Sequence, residues 1–111
     1  MAQDPLAALK KISPSLNKKM KNNSLDAFGK GSIPVKYKYL LAMALDAAAG
    51  TADGVAALAG EAVEAGATQE EIAEVLEILH YICGGGSIYT ASIGLDKIDN
   101  LSVSLKKVCL L

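Results

Sequence analysis

The sequence predicts an all-α subunit of about six helices. Three observations carry that expectation. Apolar residues recur at three- and four-residue steps in one segment after another, and glycine or proline interrupts those segments. Thr68-Gln-Glu-Glu71 also forms a capping box ahead of the most regular segment.

Taken in order, Asp4-Pro5 supplies an N-cap with proline at the first helical position, and Leu6, Leu9 and Ile12 give one apolar face. Ser13-Pro14 breaks that helix. The second is expected to turn Leu16, Met20, Leu25 and Phe28 inward and Lys18, Lys19 and Lys21 to water, ending at Gly29–Ser32. A third starts at Ser32-Ile33-Pro34 and carries Tyr37, Leu40, Leu41, Ala44, Leu45 and Ala48 until Gly50 stops it. Thr51 or Asp53 can cap a fourth, with Val55, Leu58, Ala59 and Ala62 inward and Ala65-Gly66 as its end. After the capping box, Ile72, Val75, Leu76, Leu79 and Cys83 are expected to form a buried stripe opposite Glu70, Glu74 and Glu77. Gly84–Gly86 closes this helix, and Ser87 opens a sixth with Ile88, Ala91, Leu95 and Ile98 inward. Leu101–Leu105 alternates like a strand, yet Leu101, Leu105 and Val108 also fit a helix, so the tail stays open between the two.

At 111 residues the chain makes a single domain. The hydrophobic content is 51%, much of it alanine, which favours close helix contacts over a bulky core. Burying such a surface between subunits makes self-association a natural expectation. The longest apolar run, Tyr39–Leu45, is stopped by Asp46, and no targeting segment is visible, so a cytoplasmic protein without a membrane partner is expected. Cys83 and Cys109 lie far apart and read as buried free thiols. Residues 1–40 hold eight Lys against Asp4 and Asp26, whereas residues 41–80 hold eight acids and no base. Solvated faces are the preferred account of that asymmetry over head-to-tail steering. All eleven bases are Lys, with no Arg to clamp phosphates or read bases, so no nucleic-acid partner is expected.

The run Ala65-Gly-Ala-Thr-Gln-Glu-Glu-Ile72, followed by Glu74-Val and then Gly84-Gly-Gly86, resembles the carboxymuconolactone decarboxylase and alkylhydroperoxidase D-like family. The upstream helix Lys36–Leu45 is similar to the helix before that family's active site. The likeness covers about residues 34–95, dividing the chain into N-terminal helices (1–33), a family core (34–99) and the tail (100–111). It implies an all-helical subunit that assembles as a homo-oligomer, with a trimer or hexamer favoured. The family's redox branch implies a Cys-x-x-Cys-x-x-x-His motif and an upstream glutamate relay, reducing peroxides or disulfides.

Counted back from Gly66, the two cysteines of that motif fall on Thr51 and Gly54, the histidine on Leu58 and the glutamate on Tyr39. None of the four chemical groups is present, and Met43–Glu77 contains no Cys or His. The decarboxylase branch implies polar and histidine residues around a carboxylated lactone, but this chain has no Arg and no His in the matching helix. The expectation is a degenerate active site on a retained scaffold, with a small-molecule pocket kept between helices 34–49 and 52–65. No cofactor and no metal are expected.

The remaining catalytic candidates are Glu77, His80 and Cys83, spaced on consecutive helical turns. One reading is a Cys–His pair oriented by a carboxylate, giving residual peroxidase, disulfide reductase or lyase chemistry. The preferred reading is a boundary histidine hydrogen-bonded to Glu77 above a buried thiol. Glu61-x-x-Glu64 with Glu77-x-x-His80 resembles parts of a di-iron helical site, but solvated faces account for these residues more simply.

Overall fold

A computed structural model describes residues 4–98. Within them lie α1 (Ala7–Ile12), α2 (Pro14–Phe28), α3 (Val35–Ala48), α4 (Ala52–Glu64), α5 (Gln69–Cys83) and α6 (Gly85–Asp96). The described residues contain no strand, and no helix among them is long and apolar enough to cross a membrane. The expectations for Leu101–Leu111 and Cys109 fall outside the described residues.

Local signals set most helix ends. Ser13 caps α2, its Oγ accepting from the Leu16 N–H at 3.3 Å, with Pro14 at the first helical position. α3 and α4 close identically. The Gly50 N–H donates to the Ala47 carbonyl and that of Thr51 to Asp46; Gly66 and Ala67 repeat the pattern onto Val63 and Ala62. These paired bonds satisfy the last carbonyls of each helix and need positive φ at the turning residue, supplied by Gly50 (81°) and Gly66 (103°). The capping box at α5 is complete: Thr68 Oγ1 accepts from the Glu71 N–H at 3.1 Å, and Glu71 Oε1 accepts from the Thr68 N–H at 2.9 Å. Glu71 Oε2 takes the Lys36 ammonium at 3.0 Å, so one carboxylate both caps α5 and ties it to α3.

The core is built from small side chains. Met43, Val55, Ala59 and Ala62 are fully buried, with Leu40, Ala47 and Ala91 nearly so. α3 and α4 make the most extensive helix contact, and α6 crosses α4. At that crossing a Cβ added to Gly94 would come within 2.6 Å of the Ala52 carbonyl oxygen and the Val55 Cβ. Only a residue without a side chain permits this approach.

Several inward faces differ from expectation. On α2 the sole buried residue is Asn17, while Leu16, Met20 and Leu25 are exposed, and α1 buries nothing. Among the described residues these two helices pack mainly on each other, and α2 meets the edge of α3. In α3 the buried arc is Leu40, Met43 and Ala47, and Tyr37, Leu41 and Leu45 face outward. That helix is apolar around most of its circumference, so periodicity cannot select the inward arc. Cys83, expected in the α5 stripe, is exposed, because it closes the helix where Gly84 turns the chain away and only Ile72 and Leu79 reach full burial. α6 begins at Gly85 rather than Ser87, and the buried Ser87 donates its hydroxyl to the Gly84 carbonyl at 2.7 Å.

Two predictions follow from these contacts. Gly94→Ala is expected to lower the urea-unfolding free energy by about 1–3 kcal/mol, since backbone and Val55 must move apart. A variant as stable as the native chain would refute the close crossing. Glu71 is held below the usual carboxylate range, first by the Thr68 N–H and then by Lys36. A lowered folded-state pKa contributes stability above the unfolded value, about 4.3, and loses it as pH falls through the folded value. Glu71→Gln, which keeps the capping geometry, is therefore expected to be less stable than native near pH 7. In a pH series of denaturant midpoints, that gap should vanish on acidification below about pH 4.

Candidate functional site

The α3–α4 hairpin carries all four positions that the family motif would occupy. Thr51 is exposed at the start of α4, and its side chain makes no capping bond. Asp53, the other proposed cap, is instead held by Lys97 Nζ at 2.6 Å, which lowers its carboxyl pKa through the hydrogen bond and the adjacent charge. Gly54, one turn into α4, lies directly against the Asp46 side chain of α3. A Cβ there would overlap that carboxylate and also press within 3.2 Å of Thr51 Cγ2. Leu58 packs against the central core cluster. Tyr39 stacks on Phe28, with ring centroids 4.7 Å apart and planes 11° from parallel.

Three of the four positions are thus filled by ordinary packing, and Thr51 faces solvent. The Asp46 carboxylate covers the small residue, an aromatic pair fills the upstream position, and an aliphatic side chain takes the third. Asp46, visible in the sequence only as the end of an apolar run, is the sole acid within α3.

The open apolar groove lies elsewhere, between α3 and α5. It encloses about 500 Å³ and is lined by residues that include Tyr37, Leu41, Leu45, Ile78, Ile82 and Cys83. It therefore does not lie between 34–49 and 52–65, where the pocket was expected: α3 and α4 meet too closely through Ala47, Val55 and Ala59.

Glu77, His80 and Cys83 are all exposed, and among the described residues no hydrogen bond joins them. His80 opens on a shallower cleft with Gly85, Ile88, Tyr89 and Ser92 on the α6 side, while Cys83 opens on the α3 groove. The helix that carries both residues directs them into separate spaces. Among the described residues no three His, Cys, Asp or Glu side chains converge to hold a metal ion, and Glu61 and Glu64 face outward.

Gly54→Ala tests the packing at the motif position. Because Asp46 must swing aside, it is expected to stabilise the native chain less than an Asp46→Ala background, where the full helix preference of alanine, about 0.5–1 kcal/mol, remains. A thermal-unfolding double-mutant cycle with equal gains in the two backgrounds would show that Asp46 and Gly54 are not in contact.

The family model described as the carboxymuconolactone decarboxylase family matches residues 14–95, from the first turn of α2 into the last turn of α6. Comparison with curated proteins and with solved structures finds no match.

Proposed function

The chain belongs to the carboxymuconolactone decarboxylase family, and from that premise we propose that it is a divergent member of the alkylhydroperoxidase D-like type, without thiol peroxidase chemistry, acting as an oligomeric binding or structural protein in the cytoplasm. The observation that carries this reading is the content of the motif positions: Thr51, Gly54, Leu58 and Tyr39 in place of two thiols, an imidazole and a carboxylate. A threonine hydroxyl forms no disulfide, glycine brings no group at all, and leucine moves no proton. Packing supports the same reading. The Asp46 carboxylate occupies the space beside Gly54, and Tyr39 is engaged with Phe28.

The decarboxylase chemistry is disfavoured on charge grounds. A dianionic lactone needs a bidentate cation, but the chain has no Arg, and the α3–α5 groove is lined almost wholly by apolar side chains. That lining suits an apolar small molecule or protein surface.

A second reading retains hydroperoxide or disulfide reduction at Cys83, or a lyase reaction at His80. One observation favours it: the Cys83 thiol is exposed beside an apolar groove able to receive an organic hydroperoxide. In that scheme the thiolate attacks the O–O bond, leaving a sulfenic acid and an alcohol, and an external dithiol returns the sulfur to the thiol.

Hydroperoxide consumption measured with an external dithiol separates the two readings. The expected result is consumption no faster than the same molar amount of a free thiol. Enzymatic turnover that disappears in Cys83→Ser would overturn the binding or structural reading.

A further inference from the structure

We propose that the α3–α5 face is a self-association surface, on which two copies of this chain pack ridge into groove about a two-fold axis. This rests on the oligomeric reading above and names the face responsible for it.

Ile33, Tyr37, Leu41 and Leu45 recur at four-residue steps along α3 and its leading edge, forming one continuous apolar ridge. Beside it runs the groove between α3 and α5, whose far wall carries Ile78 and Ile82, again four residues apart. These six side chains are 45–71% exposed in the isolated subunit. Such exposures leave on the order of 600–700 Å² of apolar surface in contact with water. That is at or above the largest patch of an ordinary monomer, about 300–600 Å². It approaches the ~800 Å² that each partner contributes to a standard interface.

The shape of the face selects the partner. A ridge of i, i+4 residues fits the groove of a second helix pair, and rows of this kind interdigitate at a crossing angle of about −50°. Here ridge and groove lie side by side on one subunit. A two-fold rotation therefore sets each copy's ridge into the other's groove, the self-complementary arrangement that an isologous dimer requires. The two lysines beside the ridge are engaged within the subunit. Lys36, next to Tyr37, is paired with Glu71, and Lys38 donates to the Gly29 carbonyl at 2.8 Å, so neither is an unpartnered cation brought against its symmetry mate. Cys83 at the end of the groove is covered by the second copy and serves as a reporter of assembly.

The test is sedimentation equilibrium of the full chain from about 1 to 100 μM, with far-UV circular dichroism as the check on folding. The native protein is expected at twice the 11.5 kDa subunit or a multiple of it. Leu41→Lys/Ile82→Lys should reduce the mass at least twofold with helicity retained. Ile82→Lys alone, at an exposed position in the last turn of α5, should raise the dissociation constant at least tenfold. Tyr89→Lys, on the α6 face, should leave the mass unchanged. In a Cys109→Ser background, alkylation of Cys83 should be at least tenfold faster in the dissociated variant than in the native assembly. Native mass retained by both groove variants would overturn this face while leaving the oligomeric reading in place. A native mass of one subunit throughout would overturn both.

Discussion

The close approach of α3, α4 and α6 through small side chains is the constraint on which the rest of the structure depends. Ala47, Ala59, Ala62 and Ala91 are buried at these contacts, and Gly94 admits the backbone of Ala52 at a distance that excludes any side chain. Helices packed on alanine and glycine sit close together, gaining many short-range dispersion contacts from little side-chain volume. The same arrangement leaves little interior for large residues. Leu40, Met43 and Val55 are the largest side chains fully enclosed, and several large aliphatics, among them Leu41, Leu45, Ile78 and Ile82, lie at the surface. The exposed α3–α5 face is in this sense a consequence of the core.

The closed α3–α4 contact also explains why the apolar groove does not lie between these two helices. A catalytic thiol at the start of α4 needs room for a side chain and access for its substrate. At Gly54 that room is occupied by the Asp46 carboxylate, and Tyr39 is stacked against Phe28, which joins the end of α2 to α3. The local scaffold signals are intact: the complete capping box at Thr68–Glu71 and the glycine closures at Gly50 and Gly66.

Much of the fold was legible because its punctuation is local. A capping box involves four consecutive residues, and a glycine closure about six, so Thr68, Glu71, Gly50 and Gly66 mark helix ends without knowledge of the tertiary arrangement. Family membership was legible from the same stretch. The inward faces were readable only where a helix has a single apolar arc. They were readable in α4, whose Val55, Ala59 and Ala62 are buried, and ambiguous in α3, where Leu41 and Met43 are equally apolar but only Met43 is enclosed. The overlap of Asp46 with the Gly54 position joins residues on two helices and leaves no periodic trace.

The sequence by itself determined the all-α class, the family and the helix ends marked by Thr68, Gly50 and Gly66, because each depends on residue identity or on spacing within a few turns. Tertiary structure alone decided which arc of α3 is covered, that Cys83 and His80 open into different clefts, and that the apolar groove lies against α5 rather than α4. Those outcomes depend on how close two helices can come. That distance is fixed jointly by Ala47, Val55, Ala59 and Gly94 on three separate helices, and no single stretch of the chain contains it.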